Sequence, residues 1–227
     1  VEEGIRPVFV FDGKPPPFKE STLEERSRAR EEAHRLWLEA KEAGAPDAFK
    51  YAQASARITA SIIEDAKKLL EYMGIPFVQA PSEGEAQASF IVINGDAFCV
   101  ASQDYDSLLF GAPSLVRNLA ITGRRKLPRR NVYVDINPEI LSLDEGLRKL
   151  EITREQLVDI GILVGTDFNE GIKGVGPKTA LKLIKKHGTL EGALTELHRE
   201  IENYGLIQQF FIQPDVSRDY EVLWKSP

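Results

Sequence analysis

An α/β fold, with a mostly parallel sheet flanked by helices, follows from three features of this 227-residue sequence. Short apolar runs alternate with longer helical stretches, the order that builds a parallel sheet covered on both faces. The run at 7–12 (PVFVFD) is continuous rather than alternating, as in a parallel strand buried on both faces, and AFCVAS is another apolar run that reads as a strand. Carboxylates gather where such runs end or helices open, in VFVFDG, PSEGEAQ, VASQDYD and LVGTDFN. In sheets of this kind ligands bind beyond the carboxyl ends of the strands.

After the first strand, GKPPPF breaks regular structure. Residues 22–43 read as a charge-dense helix with a thin apolar stripe of Ala33, Leu36, Trp37 and Ala40, supported by Glu24–Arg28 and Glu31–Arg35 pairs. GAPD interrupts it, and a second helical stretch begins near Ala48. Residues 58–73 predict an amphipathic helix with Ile58, Ile62, Ala66, Leu69, Leu70 and Met73 on its buried side, stopped by Gly74 at C′. The strand PFVQAP leads into the helix SEGEAQASFIVI, which Asn94–Gly95 closes, and AFCVAS delivers QDYD. LVRNLAI and NVYVDI read as strands flanking TGRRKLPRR, a hairpin or a loop. Helices are expected over 138–149 and 153–164, and GIKGVGPKTALKLIKKHG reads as a tight glycine turn entering a helix.

Composition excludes several classes. A chain that is 42% hydrophobic and 28% charged is globular rather than disordered. No apolar run approaches the ~20 residues of a membrane span. The opening VEEGIRP resembles neither a signal nor a transit peptide. The lone Cys99 lies in an apolar run, which reads as core filler in a reducing interior. No G-x-S-x-G, HExxH or CxxC occurs, and His34, His187 and His198 are scattered among charges without ligand spacing. The abrupt first and last residues read as cut from a longer protein, so the expectation is a single domain, 1–227, incomplete at both termini.

Net charge is −6, yet removing Asp12, Glu83, Glu85, Asp104, Asp106 and Asp167 leaves 29 acids against 29 bases. The positive charge of that remainder is clustered. Residues 124–130 hold five basic groups and no acid, and residues 172–187 hold five lysines and no acid. Clusters of this kind bind phosphates whatever the total charge.

Those six carboxylates are expensive beside a core unless compensated, and together they suggest one oxygen-liganded site for a hard cation such as Mg²⁺. Asp104 and Asp106, two apart after a strand, would point the same way in extended backbone. Asp12 and Asp167 each also suit an ordinary turn. PSEGEAQ stays ambiguous: Ser82 and Glu85 fit a capping box, and Glu83 suits a helix's first turn without any metal. The glycines at 171, 174 and 176, with Pro177 at a helix start, fit neither a Rossmann fingerprint nor a P-loop. They fit a helix–hairpin–helix that grips a nucleic-acid backbone through main-chain N–H groups, with Lys178 and Lys182 one turn apart; an ordinary helix–turn–helix with a solvated lysine face is the alternative.

The series VFVFDGKPP, APSEGEAQA, ASQDYDSLLFG, RNL-x-ITGRRKLP and LVGTDFNEGIKGVGPKTA resembles the structure-specific 5′ nuclease superfamily, specifically the flap endonucleases, and their archaeal branch more than the eukaryotic one. The resemblance implies a 5′ nuclease (PIN-like) fold, with a helical arch over 15–57, an α/β core over 58–165 joined by 1–14, and a helix–hairpin–helix region over 166–202. It implies hydrolysis of DNA phosphodiesters at 5′ flaps and 5′ ends in replication and repair, leaving a 5′-phosphate and a 3′-hydroxyl. Asp12, Glu83, Glu85, Asp104, Asp106 and Asp167 match the family's ligands for two Mg²⁺ ions, which Mn²⁺ can replace. Lys19 and Arg26 match arch residues at the scissile phosphate. Arg124, Arg125, Lys126, Lys173, Gly174, Gly176, Lys178, Thr179 and Lys182 match DNA-binding positions, with K⁺ at the hairpin. The resemblance also implies a monomer acting on branched DNA, a sliding-clamp partner met through a C-terminal segment, no membrane, and a cytoplasmic location in an archaeon or a nuclear one in a eukaryote. Family members carry another metal-binding Asp, a stacking aromatic and basic residues ahead of VFVFDG, so these 227 residues are expected to bind metal incompletely. Two other readings remain: a DNA-binding scaffold whose acids are caps and turns, and a nuclease of the same fold that prefers RNA or free 5′ ends.

Overall fold

Helices dominate the computed structural model, which describes residues 4–45, 47–120, 123–126 and 132–225, those at 20–23, 25 and 124–126 by backbone alone. The chain divides into two units, one of Val1–Phe9, Pro16–Phe77 and Glu221–Pro227, the other of Val10–Pro15 and Val78–Tyr220. None of the described helices is long and apolar enough to cross a membrane.

In the first unit a 3₁₀ turn at Pro17–Lys19 leads into α1 (Glu20–Glu42), α2 (Ala48–Ser55) packs back along α1, and α3 (Ala60–Tyr72) follows. Ala33 and Ala40, two turns apart, are buried, and Leu36 and Trp37 are half-buried, as the thin stripe requires. The ion pairs differ from the expected ones. Arg35 binds Glu39 at 2.8 Å and Glu32, while Glu31 takes Arg57, just beyond α2, at 3.2 Å. A contact between α1 and the segment after α2 has displaced the local Glu31–Arg35 pair. Thr59 caps α3 through Ile62 N–H, and Gly74 ends it at φ +66°. The buried stripe of α3 is shifted from the predicted one: Leu70 is buried and Ile63, Ala66 and Lys67 are half-buried, whereas Ile58, Ile62, Leu69 and Met73 are exposed. The i, i+3, i+4, i+7 spacing holds, but on the neighbouring face. Trp224 Nε1 donates to Pro7 O at 3.1 Å and Lys225 N to Gly74 O at 3.0 Å, tying distant parts of the chain together.

β1 (Phe9–Phe11) pairs with β2 (Phe77–Gln79). β1 is not buried on both faces: Phe9 is 45% exposed, and Val10 and Phe11 are half-buried. In the second unit β3 (Val100–Ala101) runs parallel to β4 (Ser114–Arg117), and β7 (Glu139–Ser142) pairs antiparallel with β4. β7 occupies the start of the stretch read as helix over 138–149. Ser142, a good N-cap whose side chain accepts Glu145 N–H at 3.3 Å, delays α6 (Leu143–Leu150) and leaves EILS to pair with β4. The basic segment forms a strand itself: β5 (Arg124–Lys126) pairs antiparallel with β6 (Tyr133–Asp135), so the hairpin alternative holds with RRK as one arm. Residues 127–131 lie outside the described set.

α4 (Gly84–Ile93) covers this sheet through Val92, Val100, Ala112 and Leu115, with Ala88, Leu108 and Leu141 packed around them. The short α5 (Asp106–Leu109) follows β3, and Cys99 is half-buried, its thiol pKa raised by burial. α7 (Arg154–Val164), with a full capping box at Thr153 and Gln156, packs on α8 (Pro177–His187), α9 (Leu190–Leu197) and α10 (Tyr204–Ile212). Buried Asp159 joins three of these helices. Its Oδ2 accepts Leu190 N–H at 3.0 Å at the positive start of α9, and its Oδ1 accepts the Gln208 amide from α10. Burial raises the Asp159 pKa, and the Gln208 and Leu190 hydrogen bonds oppose that rise.

Replacing Asp159 with Ala strands two buried donors, so the expected loss is about 2 kcal/mol in a denaturant titration. Replacing Asp144, whose pair with Arg148 is exposed on both sides, shifts stability by less than about 0.5 kcal/mol.

Candidate metal centre and nucleic-acid interface

Asp12 leaves β1 and turns into α4. Gly13 N donates to Ser82 O at 2.6 Å, Lys14 N to Pro81 O at 3.1 Å, and Asp12 Oδ1 accepts Gly84 N–H at 2.7 Å. A Cβ on Gly84 would lie 2.7 Å from that Oδ1, so only glycine admits the carboxylate there. Asp12 thereby caps α4 from another strand. The Ser82–Glu85 capping box does not form: Glu83 is the N-cap residue, with no side-chain cap hydrogen bond. An acceptor from another strand has taken the role the local sequence offered to Ser82.

Freed from capping, Glu85 turns to the end of β3, where its Oε1 accepts the Ser102 hydroxyl. Glu85 Oε2 is buried without a hydrogen-bond partner. Burial pushes the Glu85 pKa up to about 7; the Ser102 hydrogen bond works against this, and the charges of Asp106 and Asp104 add to it. Residues 102–105 are bent rather than extended, and Asp106 opens α5. The expected extended geometry of Asp104 and Asp106 is therefore absent; a turn, not strand alternation, brings both near Glu85. Ser102 holds that turn by accepting Asp104 N–H at 3.1 Å. Arg117 of β4 donates to Gln103 O at 3.0 Å and stacks over the Tyr105 ring, 4.2 Å from its centroid. Arg154 holds the far end of α5, donating to Leu109 O at 3.2 Å and to Phe211 O at 2.7 Å.

Asp167 sits in the turn after α7, where Thr166 N donates to Asn169 O at 3.0 Å and Asn169 Nδ2 to Ile162 O at 2.7 Å. Phe168 anchors this turn against Phe211 at 5.3 Å, and Phe211 packs on Phe110, just past α5, at 4.9 Å. Among the described residues, no three His, Cys, Asp or Glu side chains stand close enough to share one ion as they lie. The structure thus leaves the six carboxylates on neighbouring turns, with the charges of Asp106 and Asp104 acting on Glu85. The donors still fit a divalent cation: all are carboxylate oxygens, one is buried and unpartnered, and a cation would lift the penalty that holds Glu85 protonated.

The glycine turn is a hairpin between α7 and α8. Ile172 N donates to Leu163 O at 2.8 Å, Val175 N to Ile172 O at 2.9 Å, and Gly176 caps α8 with Pro177 as its first residue. A Cβ on Gly171, at φ +69°, would collide with the backbone of Val164. Lys173, Gly174, Gly176, Lys178, Thr179 and Lys182 are all exposed on this side. The five lysines of the segment are not equivalent. Lys185 binds Glu151 at 2.7 Å and Lys186 binds Glu196 at 2.6 Å, whereas Lys178 and Lys182 have no ion-pair partner among the described residues. His187 also meets Glu196 instead of standing in solvent. Arg124, Arg125 and Lys126 are placed by backbone in β5. Lys19 and Arg26 belong to the first unit, Lys19 at the N-cap of α1 and Arg26 exposed on it.

Ser102, Gly84 and Arg117 were not singled out from sequence. The Ser-x-Asp spacing of ASQDYD is a legible signal for the first, since serine commonly accepts the N–H two residues on. Nothing in the sequence pairs Gly84 with Asp12 or Arg117 with Gln103.

The XPG I-region model matches residues 74–167, and the XPG N-terminal domain model matches residues 1–33. The catalytic core of Rad2 in complex with DNA superposes on 99% of this chain and 69% of its own, with a TM-score of 0.71 at 22% identity, which shows a shared fold. The flap endonuclease-1 of Methanococcus jannaschii gives a TM-score of 0.72 at 40% identity over 99% of this chain and 67% of its own. Flap endonuclease 1 of Methanocella arvoryzae is 58% identical over the whole of this chain, which spans 67% of that relative. The fold is that of the 5′ nucleases. Within it, the chain belongs to the flap endonuclease family.

Glu85 in the folded, metal-free protein holds its proton more tightly than an ordinary glutamate at 4.5. Its contribution to stability is thus full below pH 4.5 and lost as pH rises through about 7. Metal must displace that proton, so Mn²⁺ affinity rises with pH up to about 7 and levels off above it. Calorimetry at pH 6 in two buffers of different ionisation enthalpy should reveal proton release on Mn²⁺ binding, and Glu85→Gln should remove it. Identical heats in both buffers for the unaltered protein would contradict the assignment.

Proposed function

We propose that this member of the flap endonuclease family hydrolyses branched DNA at 5′ flaps, with divalent metal held first by Glu85, Asp104 and Asp106 and completed by Asp12, Glu83 and Asp167. As a family member the chain is a metal-dependent nuclease, a hydrolase acting on DNA. The observation that carries the finer reading is the buried Glu85 Oε2, without a hydrogen-bond partner and in the field of Asp106 and Asp104. Bound Mg²⁺, as two ions or with Mn²⁺ in its place, would supply an activated water and stabilise the leaving oxygen.

The chain's own groups do the rest. Glu85, Asp104 and Asp106 fix the place of hydrolysis at the end of β3. The exposed start of α8 offers main-chain N–H groups and the uncommitted charges of Lys178 and Lys182 to duplex phosphates, with Lys173, Gly174, Gly176 and Thr179 beside them. The hairpin carbonyls suit a K⁺ ion shared with the DNA backbone. Arg124, Arg125 and Lys126 on β5 add a second phosphate-binding stretch, and Lys19 and Arg26 bind phosphates next to the scissile bond. In domain terms, residues 15–57 serve as the arch for the 5′ strand, 58–165 with 1–14 as the catalytic core, and 166–202 as the duplex clamp. A monomeric state and a sliding-clamp contact rest on family resemblance alone, and archaeal relatives favour the cytoplasm.

The test is cleavage of a 5′-flap duplex in Mg²⁺ by the full-length protein and by Asp104→Ala, which should lose at least ~100-fold in rate; equal cleavage would sink the metal assignment. The double variant Lys178→Ala, Lys182→Ala should instead weaken duplex binding and lower the slope of log affinity against log salt by about 2. Lys185→Ala, whose charge Glu151 already engages, should change the slope less, and equal slopes for all three proteins would defeat the clamp reading.

A further inference from the structure

We propose that Ser102 is a positioning residue of the metal centre, its single hydroxyl locking the Glu85 carboxylate to the Asp104 backbone so that both ligands meet the ion preset. The proposal rests on the reading of Glu85 and Asp104 as metal ligands. Ser102 stands where β3 ends, and its own N–H donates to Val116 O at 3.2 Å, which anchors it to β4. Its Oγ donates to Glu85 Oε1 and accepts Asp104 N–H at 3.1 Å. A serine hydroxyl has one proton and two lone pairs, so these contacts commit the proton to the carboxylate and a lone pair to the main chain. Oε1 is thereby engaged, and the buried Oε2 is the oxygen left for a ligand.

Of the surrounding bonds, the Ser107 main-chain N–H also favours the charged Glu85 carboxylate, and the others hold backbone only. Ser89 Oγ contacts Glu85 O at 2.7 Å and Ser107 O at 3.1 Å, linking α4 to α5. Arg117 Nε fixes Gln103 O at 3.0 Å. Ser102 therefore joins two ligand-bearing elements, α4 and the bend before α5, through one atom. Without it Glu85 would lose its tie to the Asp104 main chain, and loss of such outer partners typically weakens metal binding by about 10- to 100-fold.

Mn²⁺ binding measured by electron paramagnetic resonance on full-length Ser102→Ala, Ser102→Thr, Glu85→Gln and Asp104→Ala tests this directly. Ser102→Ala should bind Mn²⁺ about 10- to 100-fold more weakly. Its apparent Mg²⁺ requirement for flap cleavage should rise by a similar factor, with most of kcat recovered at saturating Mg²⁺. Ser102→Thr, which keeps the hydroxyl, should bind Mn²⁺ within a few-fold of the unaltered protein. Should Ser102→Ala fail to fold, Ser102→Cys keeps the volume with a weaker donor and should show the same loss. Undiminished Mn²⁺ affinity in the hydroxyl-free variant, or equal loss in Ser102→Thr, would overturn the role of Ser102 while Glu85→Gln and Asp104→Ala still lose binding. If those two also bind normally, the ligand reading itself fails.

Discussion

Glu85 carries a carboxylate into a largely buried place at the end of β3, where burial first and the charges of Asp106 and Asp104 second disfavour its ionised form without a counter-charge. Much of the second unit can be understood as the means of holding that arrangement. α4 is started by Asp12 from a different strand, which leaves Glu85 uncommitted at its first turn. The bend after β3 is tied by Ser102 and Arg117, and the far end of α5 is gripped by Arg154. In the metal-free protein burial raises the Glu85 pKa to about 7, and the same carboxylates suit a cation once that proton leaves.

The second organising constraint is the distribution of positive charge. The segment of five lysines looked uniform in sequence, but Glu151 and Glu196 neutralise two of them on the side of α8 away from its start. What remains lies on Lys173, Lys178 and Lys182, around the N-terminal end of the helix where main-chain N–H groups and the dipole already favour an anion. A backbone-gripping, sequence-indifferent contact is what such a surface can make, and it leaves selection of the cleavage point to the acidic cluster and to the shape of the DNA.

Local signals were legible in the sequence, and contacts between distant segments were not. The helices at 20–42, 60–72, 154–164 and 177–187 follow from periodicity and from end signals such as Gly74 and Pro177. The strand ends bearing Asp12 and Asp104 follow from apolar runs meeting acids. What failed depended on an outside partner. The PSEGEAQ capping box was locally sound, yet Asp12, 72 positions away, took the Gly84 N–H. The Glu31–Arg35 pair lost to Arg57 for the same reason. EILS became a strand because β4 had a free edge, which no helical periodicity in 138–149 could report. The extended reading of Asp104 and Asp106 failed because the Ser102 hydroxyl bends the chain between them and the strand.

The central claim is that Glu85, Asp104 and Asp106 form the nucleus of the divalent-cation site. An anomalous difference map from crystals of the full-length protein grown with Mn²⁺ tests it most directly. The account predicts a peak at bonding distance, about 2.1 Å, from an oxygen of Glu85 and from Asp104 or Asp106. A Mn²⁺ peak that Glu85 does not touch, with its carboxylate still bound only to Ser102, would contradict it.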